Sequence, residues 1–404
     1  MKSMRVARWV GVLAVLAGSG IVGMVWGLSA GATTLTSAPT SHAAHTAGAT
    51  QAVDVSDTNL PPLTVDGVHA KTMTLMGSNA YKPHAAPGTW DDYHCTLINP
   101  HVTQNSFIVA SQFYPESVEV HHSILFLVPP SLAATAERAN AGDKGWSCFG
   151  ESPIPGTSAI QFSDTPWLAA WGPGMPENVE PAGDAVPFPA GSLVVEQIHY
   201  NLLRGDKPVK AKLELQTVPE TTPLKPLSLG LYPAPPDIPC PANETGPLCN
   251  RAASLAETGK QFGKSAVRFV NLLETVCGRN PVDPPGGDTT SCTWPVGQTG
   301  YIVRAAAHMH LLGVGMKLTL NPGTPQAKVI MNVTNYDFNY QRFYNMKTPV
   351  AVTAGEQIQV QCTYNPKLRS EIPYTRDLPP QYITWGDGSA DEMCLAIVSI
   401  APPA

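Results

Sequence analysis

The chain has 404 residues, a formal net charge of −6, 40 prolines and only 14% charged residues. This length allows two or three domains with substantial cores, and few charges with many prolines favour a loop-rich, all-β protein over a helical one. The acidic balance, without a basic patch interleaved with aromatics, argues against nucleic acid as a partner.

The N-terminal segment has the pattern of an export signal. Three basic residues precede an apolar run over residues 9–28, and small residues follow it. Residues 1–32 are therefore interpreted either as a signal peptide or, because the run is long enough to cross a bilayer, as an N-terminal membrane anchor. In both cases the protein is expected to be exported, whether secreted, periplasmic or on the cell surface. Residues 33–60 are rich in Thr, Ser, Ala and Gly and are predicted to be a disordered linker.

The eight cysteines are interpreted in the light of the expected export. An even number of cysteines in an exported chain indicates a disulfide scaffold, whereas a zinc site is less favoured because no CxxC pair is present. Spacing alone does not fix the pairing. The eight cysteines are Cys95, Cys148, Cys240, Cys249, Cys277, Cys292, Cys362 and Cys394.

Two predicted strands in the first half carry histidines. The strand over residues 117–128 contains adjacent His121 and His122, which in a regular strand would point to opposite faces. If both bind one metal ion, the strand must bulge or twist there; otherwise they are structural residues. The strand over residues 192–201 contains His199, for which a hydrogen-bonded core residue is the alternative to a metal ligand.

A proline-rich segment separates the two halves of the chain. Eight prolines over residues 218–241 indicate a domain boundary or an interdomain strap, and they lead to two mainly β domains, 61–222 and 223–404. The second domain is predicted to contain one helix at about 252–270, followed by strands.

The strongest candidate metal ligands in the second half lie in the strand-like run over residues 301–320. On a strand, residues i and i+2 share a face, so His308 and His310 are expected to present two imidazoles about 6–7 Å apart. Such a pair suits Zn or Cu, and the alternative is a pair of hydrogen-bonded histidines on a half-exposed strand. Far downstream, Met393 precedes the last predicted strand and is a further candidate, the alternative being a core methionine.

The order and surroundings of these candidates resemble the copper type II ascorbate-dependent monooxygenases, the family of the peptidylglycine α-hydroxylating and dopamine β-monooxygenases. The resembling positions extend over nearly the whole mature chain. They are Asp91-Asp92-Tyr93-x-Cys95, His121-His122-x-x-Leu125-Phe126, Ala170-Trp171-x-Pro173-Gly174, Gln197-x-His199-Tyr200, His308-x-His310-Leu311-x-Gly313 and Asp391-Glu392-Met393-Cys394.

The resemblance implies an all-β fold of two tandem jelly-roll domains, each with one copper ion, facing each other across a solvent-filled cleft. It also implies hydroxylation of an sp³ C–H bond with O2 and an ascorbate-like external reductant. The implied ligands are His121, His122 and His199 at the electron-transfer copper and the catalytic residues His308, His310 and Met393 at the oxygen-binding copper. Gln197 and Tyr93 would lie directly behind the ligands.

The resemblance also gives the cysteine pairs a rationale. A disulfide between Cys362 and Cys394 would hold the strand next to the weak ligand Met393, and a Cys95–Cys148 bond is the second expected pair. Proximity in the sequence favours Cys240–Cys249 and Cys277–Cys292.

The chain departs from the peptide-amidating branch of the family. That branch holds a peptide's C-terminal carboxylate with an arginine, an asparagine and a tyrosine, whose positions here are Ala306, Leu395 and Ile397. Arg304 is near but displaced along the strand. The loss of this clamp predicts a small neutral or hydrophobic substrate rather than a glycine-extended peptide, and no lyase domain is expected after Ile400.

Two other classes of protein are compatible with the sequence. One is a non-catalytic copper-binding or copper-storage protein on the same scaffold, which ascorbate-dependent oxygen consumption would distinguish from an enzyme. The other is an extracellular binding module with merely structural histidines, which would contain no stoichiometric copper.

Overall fold

The computed structural model describes residues 60–77, 79–85, 88–150, 152–154 and 166–403. The predicted signal or anchor, with its apolar run, and all but the last residue of the predicted linker lie outside these ranges. Within them, no helix has the length and apolar character that a membrane crossing needs.

The described chain is mainly β-structure, as its composition predicts. The strands are β1 (Thr64–Val65), β2 (Val68–His69), β3 (Lys71–Met76), β4 (Asp91–Ile98), β5 (Ser106–Tyr114), β6 (Val120–Val128), β7 (Trp146–Ser147), β8 (Trp167–Trp171), β9 (Asn178–Val179), β10 (Asp184–Phe188), β11 (Leu193–Asn201), β12 (Lys212–Pro219), β13 (Lys225–Pro226), β14 (Ser228–Pro233), β15 (Asp237–Ile238), β16 (Thr289–Pro295), β17 (Gly300–Met309), β18 (Gly313–Leu320), β19 (Lys328–Val333), β20 (Phe343–Val352), β21 (Gln357–Tyr364), β22 (Ile383–Thr384) and β23 (Cys394–Ala401). The α-helices are α1 (Ala133–Ala139), α2 (Arg251–Gln261), α3 (Gly263–Val276) and α4 (Leu368–Glu371), with short 3-10 turns at Pro130–Leu132, Ala141–Asp143, Leu202–Arg204 and Pro247–Cys249.

Two sheets up to β13 form the first pair of sheets. One has the order β13-β10-β5-β12-β3, with β9 also pairing to β5, and the other has the order β7-β4-β11-β6-β8. A single core contains Phe113 and Leu215 from one sheet together with Leu125 and Val194 from the other. Alternating apolar residues on these strands thus face inward and bury their side chains between the layers.

Eight of the strands from β14 onward form the second pair of sheets, with orders β14-β23-β17-β20 and β16-β21-β18-β19, while β15 and β22 pair only with each other. Their common core includes Ile302, Met309, Met316 and Val398. Met309 and Met316 are therefore packing residues, and the two-residue alternation along β17 turns His308 away from this core.

The chain passes from one pair of sheets to the other within the proline-rich segment. Strand β13 pairs with β10 of the first pair, and β14 pairs with β23 of the second, so that only Leu227 lies between them. Leu227 packs with Val303 and Ala401. The strands therefore change partners at Leu227, while the limits 61–222 and 223–404 stay a prediction.

The single helix expected at about 252–270 is instead two helices, α2 and α3. Phe262 has a non-helical φ of −114°, and Gly263 takes a φ of +82°, which favours glycine and interrupts the helix. The break directs the Phe262 ring against Phe149, with ring centroids 4.6 Å apart.

Four disulfide bonds stabilise the fold, and no cysteine in the described ranges is free. They join Cys95 to Cys148, Cys240 to Cys249, Cys277 to Cys292 and Cys362 to Cys394. These are the pairs that the sequence analysis expected. The last of them connects β21 to the first residue of β23, directly after Met393.

Candidate functional site

The first histidine set, His121, His122 and His199, lies on the neighbouring strands β6 and β11. His199 pairs with His122, whereas Tyr200 pairs with Val120, so that His121 is an extra residue in β6. A bulge of this kind re-aims a side chain. Adjacent histidines on a strand need such a bulge if both side chains are to point towards the same metal ion.

The three Nδ1 atoms of the first set converge. The Nδ1 of His122 lies 3.2 Å from that of His121 and 3.3 Å from that of His199, and the ligand atoms of all three lie within 4.8 Å of one another. Nitrogen ligands about 2.0 Å from one ion at tetrahedral angles would be about 3.3 Å apart. Burial and the neighbouring imidazoles lower the pKa of His122 well below its ordinary value, which keeps the ring neutral and able to bind a metal.

Asp91 and Tyr93 orient His199 from behind. The His199 Nε2–H donates to Asp91 Oδ1 at 2.9 Å, with both side chains buried, so the lone pair is on Nδ1. The Tyr93 ring stacks on the imidazole with centroids 4.2 Å apart, and its hydroxyl donates to the carbonyl of Asp387 at 2.8 Å. Tyr93 thus packs directly against the His199 ring, and its role at the site stays a prediction.

The second set consists of His308, His310 and Met393. His308 lies at the end of β17 and His310 just beyond it, with ring centroids 5.4 Å apart. The Nδ1–H of His308 donates to Gln341 Oε1 at 2.8 Å, and that of His310 donates to the Asp391 carbonyl at 3.1 Å. The Nε2 atom of His308 therefore carries the lone pair, and burial lowers the pKa of both rings.

Glu392 holds the turn after His310 against the segment that carries Met393. Its Oε2 accepts the N–H groups of His310 and Met393 at 3.0 and 3.1 Å, and its Oε1 accepts that of Leu312 at 2.6 Å. The carboxylate is fully buried, and this burial raises its pKa to about 8. One side chain thereby fixes the spacing between two candidate ligands that lie far apart in the sequence.

An apolar cavity of about 210 Å³ adjoins both sets. Met393 and His308 line it together with His122, and Tyr93 and Gln197 contribute to the wall. Its apolar walls include Phe126, Trp167, Phe262, Trp385, Leu395 and Ile397. The Nε2 of Gln197 also lies 3.6 Å from Cys148 Sγ.

The two sets approach each other closely. The rings of His122 and His308 have centroids 6.1 Å apart. Phe338 lies between the sets, stacked on His121 at 4.4 Å and 6.0 Å from the His310 ring. An aromatic side chain thus packs between His121 and His310, and the solvent-filled cleft that the resemblance implies stays a prediction.

Arg304, the displaced arginine, does not replace the missing carboxylate clamp. Its buried guanidinium lies 2.8 Å from Glu180 Oε2, and it donates to Asn178 Oδ1 at 2.9 Å and to Ser399 Oγ at 3.0 Å. These contacts engage its donors away from His308. The clamp positions Ala306, Leu395 and Ile397 instead form part of the cavity wall.

Sequence reasoning missed several residues that support the site. Asp91 and Glu392 stand within the motifs that carry the resemblance, and carboxylates so close to candidate ligands were a usable signal. Gln341 and Phe338 lie in the loop between β19 and β20, where no periodicity or motif points to them.

Comparison with known proteins bears on the second half of the chain. Residues 288–402 match the family profile described as "Copper type II ascorbate-dependent monooxygenase, C-terminal domain". The chain is 28% identical over 103 residues to "DBH-like monooxygenase protein 1" of Homo sapiens and 27% identical over 103 residues to that of Mus musculus. Each alignment covers 25% of this chain and only 15% of the relative.

Among solved structures, a variant of Bacillus subtilis oxalate decarboxylase aligns over 82% of this chain and 78% of its own, with 8% identity and a TM-score of 0.15. The coconut allergen cocosin aligns over 82% and 85%, with 9% identity and a TM-score of 0.15. Scores this low carry no argument about fold or function.

Proposed function

Because the chain belongs, through residues 288–402, to the copper type II ascorbate-dependent monooxygenase family, we propose that it is an exported dicopper monooxygenase. The observation that carries the proposal is the pairing of two ligand sets beside one cavity. Three converging Nδ1 atoms form one set, and the His308 and His310 imidazoles with the Met393 thioether would form the other. The two pairs of sheets would be the family's two jelly-roll domains.

The two sets suit different tasks. Imidazole binds both Cu(I) and Cu(II), whereas thioether is soft and favours Cu(I). We assign His121, His122 and His199 to an electron-transfer copper and His308, His310 and Met393 to an oxygen-binding copper. Asp91, Gln341 and the carbonyl of Asp391 would fix which nitrogen of each ring faces the metal.

When bound, copper would supply the one-electron chemistry that lets O2 react with an unactivated C–H bond. The overall reaction is R–H + O2 + 2 e⁻ + 2 H⁺ → R–OH + H2O, with ascorbate or a similar donor providing both electrons. The apolar cavity would exclude bulk water and hold the substrate carbon beside His308 and Met393.

The cavity supports a small, largely hydrophobic substrate. Ala306, Leu395 and Ile397 provide aliphatic surface where the amidating branch has its polar clamp, and Trp385 and Phe262 add aromatic surface. Most of the binding free energy would therefore come from burial of apolar area.

Export is the part of the proposal that the disulfides support. Four disulfide bonds are typical of an oxidising compartment. Whether residues 9–28 are removed or attach the protein to a membrane is tested by N-terminal sequencing of the mature protein and by its release from membranes in carbonate.

Copper stoichiometry and oxygen uptake test the proposal together. We expect two copper ions in the wild type, close to one in His199→Ala, and loss of ascorbate-dependent oxygen uptake in Met393→Ala. The exposed residues His101 and Met76 provide matched controls, His101→Ala and Met76→Ala, which should change neither quantity.

The alternatives predict other outcomes. Two bound copper ions without any oxygen uptake would favour the copper-storage protein on the same scaffold. Wild-type protein without copper would overturn the assignment of both sets.

A further inference from the structure

One cation, Arg342, is among the described residues that line the cavity, as is His308. It directly follows Gln341, whose Oε1 accepts a hydrogen bond from His308 Nδ1 at 2.8 Å. Arg342 therefore contributes a positive charge to the cavity that His308 and Met393 also line.

The Arg342 guanidinium has aromatic neighbours rather than an acidic partner. Its Cζ lies 5.0 Å from the Tyr340 ring centroid and 5.1 Å from that of Tyr344, and Nη1 donates to the Tyr340 hydroxyl at 3.2 Å. No salt bridge to Arg342 occurs within the described ranges, and its buried Nε has no hydrogen-bond partner there. Asp387, the carboxylate in the same wall, instead accepts the N–H of Gly150 at 3.1 Å.

A half-buried guanidinium with unused donors is best satisfied by a planar anion. Aromatic faces hold the group by cation–π attraction without using its N–H donors. A carboxylate pairs with these donors through charge-assisted hydrogen bonds, often two at once. Most of the remaining wall is apolar and largely aromatic, and no other Lys or Arg is among its described residues, so Arg342 has no competitor for such an anion.

Resting on the proposed function, we infer that the cavity binds an arylalkyl carboxylate, with the carboxylate on Arg342 and the hydrocarbon portion against the aromatic wall near His308 and Met393. The sequence left open a neutral or a hydrophobic substrate, and Arg342 favours a hydrophobic acid. The cation comes from the segment before β20 rather than from the clamp positions Ala306, Leu395 and Ile397. The C–H bond to be hydroxylated then belongs to the alkyl portion of this acid. The overall reaction is the same, R–H + O2 + 2 e⁻ + 2 H⁺ → R–OH + H2O.

A matched pair of probes tests this inference by binding alone. Trp167, Trp171 and Trp385 line the cavity, so intrinsic fluorescence should report occupancy. The full-length protein is titrated with 4-phenylbutanoate and with 4-phenylbutanamide, which differ in charge but hardly in shape, before and after metal removal with a chelator. We expect the acid to bind the wild type about tenfold or more tightly than the amide, with and without metal.

Variants of Arg342 test whether this residue causes the preference for the acid over the amide. In Arg342→Gln the acid should bind no more tightly than the amide, while amide affinity stays unchanged; Arg342→Lys should retain much of the preference. Arg376→Gln removes an exposed cation that is outside the cavity wall and should behave like the wild type. The circular dichroism spectrum and thermal midpoint of each variant identify any that fails to fold; if Arg342→Gln fails, Arg342→Met is titrated in its place, with the same expected loss of preference.

Three outcomes would overturn the inference: no preference in the wild type, a preference retained in Arg342→Gln, or one that disappears when the metal is removed. Failure of the proposed function is a separate result. If the protein prefers the acid through Arg342 but lacks copper or oxygen uptake, the inferred binding site stands and the proposed monooxygenase function is wrong.

Discussion

Asp91 is the residue with the most consequences for the first histidine set. Its Oδ1 accepts the His199 Nε2–H at 2.9 Å and the Ser389 hydroxyl at 2.7 Å, and its Oδ2 accepts the Ser389 N–H at 2.8 Å. A carboxylate behind a ligating imidazole sets its tautomer and raises its basicity. Asp91 therefore connects a candidate ligand of the first pair of sheets to the loop before Met393.

We predict that Asp91→Asn lowers the copper affinity of the first set about 10–100-fold and leaves that of the second set within a few-fold of wild type. The neutral amide cannot support His199 as a carboxylate does. Competition with a chromophoric copper chelator measures both affinities. Ser389→Ala keeps the bond between His199 and Asp91 and serves as the control. An equal loss in both variants would contradict the assigned role of the carboxylate.

Glu196 gives the protein a pH-dependent stability. It is buried in β11, where Ser123 Oγ lies 3.4 Å from its Oε1, and burial raises its pKa from 4.5 to about 8. The folded protein holds this proton more tightly than the unfolded chain. The resulting stabilisation is full below pH 4.5 and is lost as pH rises towards 8.

Accordingly, the wild type should lose unfolding free energy at up to about 1.4 kcal/mol per pH unit across that window from this group alone. Glu196→Gln should flatten the dependence, and Glu220→Gln, at an exposed position, should not. Urea unfolding at several pH values measures the slopes. Parallel slopes for wild type and Glu196→Gln would rule out this role for Glu196.

Among the elements, β23 depends on a covalent bond at its first residue. The Cys362–Cys394 disulfide joins it to β21 directly after Met393. Replacing both cysteines by alanine should cost about 2–4 kcal/mol of unfolding free energy and weaken copper binding at the second set. The Cys240–Cys249 pair closes a short segment with a sequence separation of 9, and its double alanine variant should leave copper binding unchanged. Unfolding curves and chelator competition measure both effects; equal copper affinities in the two double variants would count against the prediction.

The sequence predicted elements with regular patterns better than their irregularities. Alternation located β6, β11 and β17. The single strand-like run predicted over residues 301–320 was wrong, because residues 310–312 interrupt it and divide it into β17 and β18. The bulge at His121 was predicted only on the condition that both adjacent histidines bind one metal ion. The sequence does not show the bulge itself, because it depends on the register of β6 against β11. The division into α2 and α3 follows from the backbone at Phe262–Gly263, which helical periodicity does not report.

Side chains from irregular segments were the hardest to predict. Gln341 and Phe338 belong to a loop whose path is set by contacts on both pairs of sheets, including the bond from the Gln341 N–H to the Pro173 carbonyl at 3.0 Å. Such contacts join residues far apart in the sequence. The close approach of His122 to His308 could not be predicted for the same reason.

For the molecule as a whole, a buried ion pair joins the two pairs of sheets. Arg304 on β17 and Glu180 after β9 are 5% and 3% exposed. Arg304→Met leaves the carboxylate unpaired and should lower the unfolding free energy by about 3–5 kcal/mol, whereas the double variant with Glu180→Leu should recover most of this loss. Urea denaturation of the two single variants and the double variant measures the coupling. Additive losses would show that the pair does not act as a unit.

The hydrogen bonds from Ser389 to Asp91 limit how this architecture can be recombined. Leu227 is a natural crossover point for chimaeras, since the strands change partners there. A chimaera joined at Leu227 would nevertheless combine His199 and Asp91 from one parent with a 386–391 loop from the other. The two pairs of sheets should therefore evolve together, and exchanging one between relatives would transfer the candidate ligands without their hydrogen-bond partners.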